Sequence, residues 1–112
     1  MWMRTRILLC AASVLLAFSA QAADQFLADR HQAKGVKCEQ CHVDGPGKPV
    51  TMATCLACHG GSYRKLAAST TKGEVNFHDT HVGEANCSDC HHGHKASRLV
   101  CNECHDMKAK VP

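Results

Sequence analysis

The chain has 112 residues, of which 13 are Lys or Arg and 10 Asp or Glu, and only 4% are aromatic. That length allows one small domain at most. The formal charge of +3 is scattered, with no basic cluster and no nucleic-acid motif, which excludes a nucleic-acid-binding reading.

The first segment is expected to be a leader rather than part of the domain. Arg4 and Arg6 precede an apolar run from Ile7 to Phe18, and Ser19-Ala20-Gln21-Ala22 offers small residues at the −3 and −1 positions of a cut after Ala22. A basic start, a short apolar run and an A-x-A site describe a secretory signal peptide. A membrane anchor is the competing reading, but the run falls short of the roughly 20 residues that a span needs. Cys10 lies too early in the apolar run to be a lipoprotein site. The expected organisation is therefore a signal peptide over 1–22 and one domain over 23–112, exported to the periplasm. Without Arg4 and Arg6 the basic side chains fall to 11 against 10 acidic ones.

A helix is expected to begin near Ala23, with Asp24 as its cap and Gly35 as its end. Asp44 to Pro49 is a loop by its turn residues, and Gly60-Gly61 breaks the chain again. Ser62 to Ser69 suits a short helix capped by Ser62, followed by a turn over 70–73. Short helical pieces between glycines are expected from Glu74 to Met107. No stretch alternates as a strand would. Phe26, Tyr63 and Phe77 are the only aromatics after the leader. Side chains alone give such a domain little core, and domains of this size often depend on disulfides, metals or other staples.

Four segments carry the chemistry: Cys38-Glu39-Gln40-Cys41-His42, Cys55-Leu56-Ala57-Cys58-His59, Cys87-Ser88-Asp89-Cys90-His91 and Cys101-Asn102-Glu103-Cys104-His105. Each is a C-x-x-C-H motif, the signature of covalent haem attachment. Two cysteines three apart on one helical turn point the same way and can bond one side of a porphyrin. The following His then supplies an axial nitrogen. Zinc could use the paired cysteines, and a small exported protein could join them as disulfides. Neither needs a His after every pair, and here all four pairs have one. Four covalently bound haem c groups are therefore expected, attached at Cys38, Cys41, Cys55, Cys58, Cys87, Cys90, Cys101 and Cys104, with His42, His59, His91 and His105 as proximal ligands.

Five histidines remain: His31, His78, His81, His92 and His94. Four six-coordinate irons need four more ligands. His92 follows His91 directly, and neighbours on a helix point about 100° apart, so the two cannot share an iron. His31, His78, His81 and His94 are the favoured distal ligands, with His92 as the alternative to His94. Met52 and Met107 are read as packing residues. The chain also divides into halves, each a His followed by two motifs, whose first cysteines lie 17 residues apart in one half and 14 in the other. Structural kinship of the halves and mere motif density explain this equally well.

Four haems on 90 residues must lie close together and partly exposed, supplying the missing core and a path for electrons. Their propionates would make the loaded protein acidic, at about −2 per haem against about +1 for each ferric porphyrin centre. Bis-His ligation and exposure favour low potentials. The expected fold is mostly irregular, with short α-helices wrapped around four closely packed haems. No open axial position is foreseen, so the chain reads as an electron carrier with no catalytic residue, rather than a multihaem enzyme such as a nitrite or tetrathionate reductase.

The His31-then-Cys38 opening, the close second motif at Cys55, the His78-Asp79-Thr80-His81 segment and Cys90-His91-x-x-His94 together resemble a known family. It comprises small periplasmic tetrahaem cytochromes c and the tetrahaem domain of flavocytochrome c fumarate reductases. The resemblance runs from about Phe26 to Met107. It implies distal ligands at His31, His78, His81 and His94, and His92 departs from the pattern. It also implies service between a membrane quinol-oxidising cytochrome and a periplasmic flavoprotein reductase or outer-membrane cytochrome; the chain is expected to be a monomer or part of a transient complex. With no flavin-binding domain in the chain, any reductase chemistry is expected on another polypeptide.

Overall fold

The protein is represented by a computed structural model that describes residues 26–112. The leader expected over 1–22 and the cap expected at Asp24 lie outside the described residues. Five short helices follow in chain order: α1 (Leu27–Gln32), α2 (Cys38–Cys41), α3 (Met52–Leu56), α4 (Tyr63–Ser69) and α5 (Cys87–Cys90). A 3₁₀ turn at Val100–Glu103 completes the set, and no strand occurs among the described residues. The irregular, short-helix fold expected from the sequence is what forms.

Local chemistry explains where the helices start and stop. The Asp29 carboxylate accepts the Phe26 backbone N–H at 3.0 Å, so α1 opens at Leu27. Its end is a Schellman motif: Val36 N–H donates to His31 C=O, and Gly35 N–H to Gln32 C=O. Gly35 takes φ +85°, the left-handed conformation this closure needs. Gly35 therefore ends the helix as expected, although α1 proper is shorter than the segment anticipated. The expected helix after Gly61 forms as α4, where Ser62 Oγ accepts Lys65 N–H at 3.3 Å. Gly60 combines φ +84° with a close approach to α4, since a Cβ there would lie 3.2 Å from Leu66 N.

α3 packs against both α2 and α5 and so forms the centre of the motif helices. A backbone hydrogen bond ties α1 to the segment after α5, where Ala28 N–H donates to Gly93 C=O at 2.9 Å. Among the described residues only Tyr63 and Ala67 are buried, both on α4. Phe26 and Phe77 remain exposed at 39% and 37%. The described residues therefore enclose almost none of their own apolar surface. Marginal stability is the rule for domains of this size even when they bury more than half of their surface.

Candidate haem sites

All four C-x-x-C-H segments close in the same way. The backbone N–H of the histidine donates to the carbonyl of the first cysteine, at 2.9 Å for His42, 3.0 Å for His59, 2.8 Å for His91 and 2.8 Å for His105. This helical bond places both cysteines and the His on one turn, whether the turn belongs to α2, the end of α3, α5 or the 3₁₀ segment. No disulfide joins any of the eight motif cysteines. Cys55 lies beside Cys87, and its thiol is pushed up to about 11 by burial and by that neighbour. The second and third motifs therefore meet through their first cysteines.

The histidines assemble in pairs. His31 faces His59 with ring centres 6.0 Å apart, His42 faces His94 at 6.1 Å, His78 faces His91 at 6.2 Å and His81 faces His105 at 6.1 Å. Each pair joins one motif histidine to one of the four favoured distal histidines. Two imidazoles bonded to opposite sides of one metal, at about 2 Å per metal–nitrogen bond, put their ring centres roughly 6 Å apart. His92 has no ring partner among the described residues. Its Nδ1 lies 2.8 Å from Ala96 C=O and its backbone N–H donates to Ser97 Oγ, so it folds onto its own loop.

The two halves of the sequence now become comparable. In each, the opening histidine, His31 or His81, pairs with the second motif of that half. These two pairs are crossed, with ring planes at 64° and 72°. The first motif of the first half takes His94 from the second half, whereas the first motif of the second half takes His78, just ahead of the opening His81. These pairs are nearly parallel, at 9° and 5°. Ring angle therefore repeats between the halves, while the pairing repeats only at the second motif of each.

Hydrogen bonds orient several rings. His31 Nδ1 lies 2.8 Å from Leu27 C=O, His42 Nδ1 3.2 Å from Lys48 C=O and His78 Nδ1 2.9 Å from Thr70 Oγ1. An Nδ1–H given to an oxygen leaves Nε2 as the free donor atom, the arrangement typical of ligating histidines. Burial holds the His91 imidazole below its ordinary range, opposed by a hydrogen bond to the Pro112 backbone and reinforced by the nearby His78 and Arg30 charges. A neutral ring is the form that binds a metal. Thr70, Lys48 and Pro112 as ring partners were invisible in the sequence, because none lies at a motif spacing.

These residues fit haem. Among the described residues no three His, Cys, Asp or Glu side chains converge to hold a metal ion by themselves, so the cysteine pairs do not assemble a four-cysteine zinc site. Two-ligand sets at trans spacing, each with two thiols nearby in sequence, instead suit a metal whose other four ligands come from a porphyrin. An open cleft of about 450 Å³ lies beside His78, lined also by Tyr63, Arg64, Ala67 and Asn76. Arg30 Nε is buried without an acceptor, and a haem propionate is an anion able to satisfy it.

The cytochrome c3 family model matches residues 30–106. The chain belongs to the cytochrome c3 family. Members of this family carry electrons on haem bound covalently through cysteines, and the resemblance read from the sequence holds. Cytochrome c3 relatives include the "Probable fumarate reductase Ifc3" of Shewanella frigidimarina (strain NCIMB 400), 33% identical over 105 residues, which is 87% of this chain but 16% of that protein. The "Acrylate reductase cytochrome subunit" of Shewanella woodyi (strain ATCC 51908 / MS32) is 33% identical over 101 residues, covering 84% of this chain and 83% of the relative. "Cytochrome c-type protein Cgr1" of Eggerthella lenta is 39% identical over 56 residues, half of this chain and 26% of its own length. The chain thus spans a small part of the first and third relatives and most of the second. No solved structure matches it. Among the described residues no helix is long and apolar enough to cross a membrane.

Proposed function

We propose that this cytochrome c3 family member is a periplasmic tetrahaem electron carrier, exported by a signal peptide cleaved after Ala22. The observation that carries the proposal is the set of four histidine pairs spaced 6.0–6.2 Å apart, each beside one C-x-x-C-H motif. His42 and His94, His59 and His31, His91 and His78, and His105 and His81 would be the axial ligands. Cys38, Cys41, Cys55, Cys58, Cys87, Cys90, Cys101 and Cys104 would form the thioether bonds. Bound haem iron supplies the one-electron couple.

The chain's own residues would hold each ligand in place, so that no position opens to a substrate and electrons enter and leave through exposed edges. The packing of α3 between α2 and α5 keeps the first three motifs adjacent, which shortens the gaps that electrons must cross. Donors and acceptors would be a quinol-oxidising membrane cytochrome and a separate flavoprotein reductase or outer-membrane cytochrome. The likeness to a relative named as a reductase's cytochrome subunit, over 83% of that subunit, supports a reductase partner.

Electron paramagnetic resonance of the oxidised protein tests the ligation. All four irons are expected to be low-spin, in two spectral classes of two. Crossed imidazole planes leave the iron dπ orbitals close in energy, whereas parallel planes split them. A high-spin signal that disappears on adding nitrite or cyanide would indicate an open position and favour an enzyme.

A further inference from the structure

We propose that Thr70 is a positioning residue for His78, selecting its metal-ready tautomer and setting its strength as a donor. This rests on the bis-histidine reading above.

Thr70 sits at the C-terminal end of α4, where its Oγ1 is 2.9 Å from Leu66 C=O, 3.3 Å from Ala67 C=O and 2.9 Å from His78 Nδ1. The hydroxyl has one hydrogen, and carbonyls only accept. With that hydrogen on Leu66 C=O, the oxygen is left to accept from His78 Nδ1–H. The chain then reads Nδ1–H to Oγ1, and Oγ1–H to the Leu66 carbonyl. Each link polarises the next, and Nε2 is free. The reverse arrangement, with Thr70 donating to Nδ1, would put the ring proton on Nε2 and block the metal.

Other contacts make the arrangement specific. Asn76 Nδ2 donates to Ala67 C=O at 2.8 Å and to Thr71 Oγ1 at 2.9 Å, while its Oδ1 accepts His78 N–H at 3.0 Å. The ligand's backbone is thereby pinned to the same helix end as its ring. The buried Tyr63 ring, at 74° and 6.2 Å, closes one side of the imidazole. Where His31 and His42 find a backbone carbonyl for Nδ1, His78 finds a side-chain hydroxyl. A single substitution can therefore remove this partner without altering the main chain.

An Nδ1–H that is hydrogen-bonded makes the imidazole a stronger donor and stabilises ferric iron. Without its partner the ligand weakens and the ferrous state gains. In Thr70→Val, which keeps the shape and loses the hydroxyl, the couple of the third motif should shift about tenfold toward the reduced form, about 59 mV for one electron. That couple is assigned by its absence from a variant lacking Cys87 and Cys90. Thr70→Ser should restore the original value, and Thr70→Ala gives the same comparison should the valine fold poorly. A third-motif iron turned high-spin in Thr70→Val but not in Thr70→Ser would also support the proposal. Unchanged potentials in Thr70→Val and Thr70→Ala, or an equal shift in Thr70→Ser, would overturn it. The wild-type spectrum separates the two levels: absence of bis-histidine signals there would sink the ligation reading itself, and this proposal with it.

Discussion

Replacing Cys55 and Cys58 together by alanine is expected to remove one haem and to destabilise the whole domain. The reason lies in how little else is buried. Tyr63 and Ala67 are the only buried residues among those described, so the apolar surface a folded domain must hide has to be covered by the cofactors. Losing one large buried group costs at least the roughly 3–5 kcal/mol seen when a core Phe or Trp is truncated. For a domain of this size each kcal/mol moves Tm by about 4–8 °C, so a drop of at least about 12 °C is expected by calorimetry. Position matters as well. α3, which carries Cys55, packs on α2 and α5, whereas the 3₁₀ turn of the fourth motif has no comparable packing. The matching variant, Cys101→Ala with Cys104→Ala, should also lose one haem but lower Tm less. Equal losses would contradict the central place given to α3.

His31→Met is expected to raise one of the four potentials and leave the other three nearly in place. His31 faces His59 at 6.0 Å and is oriented by its Nδ1 contact with Leu27 C=O at 2.8 Å. A thioether in place of the imidazole favours ferrous iron, and His/Met ligation accordingly raises the potential. A rise on the order of 100 mV is expected, well inside the roughly 0.8 V that axial ligands span. An optical redox titration reads it directly. His92→Met is the control, since the His92 ring turns to Ala96 C=O and faces no other histidine. A shifted couple in His92→Met, with none in His94→Met, would reverse the assignment of these two residues.

Much of this was legible in the sequence because covalent haem attachment fixes residue types at fixed spacing. The four motifs and the short-helix character follow from local rules: Ser62 caps α4 and Gly35 closes α1. The favoured distal set also matches the histidines that find ring partners. What the sequence could not disclose was which histidine meets which, since His42 and His94 are 52 positions apart and only the folded chain brings them together. The shortness of α1 was hidden too, because Asp29 reaches back to Phe26 N–H and starts the helix late. The partners of the rings, Lys48, Thr70 and the Pro112 backbone, carry no periodicity or motif that would mark them. Nor did spacing decide between a repeat and motif density; the ring angles repeat between the halves, but the pairing does so only at the second motifs.

The most direct test is the intact mass under denaturing conditions, measured on protein exported by a host that matures c-type cytochromes. The account predicts the mass of residues 23–112 plus four haems. A bare polypeptide mass, from cells that load a control cytochrome normally, would contradict it.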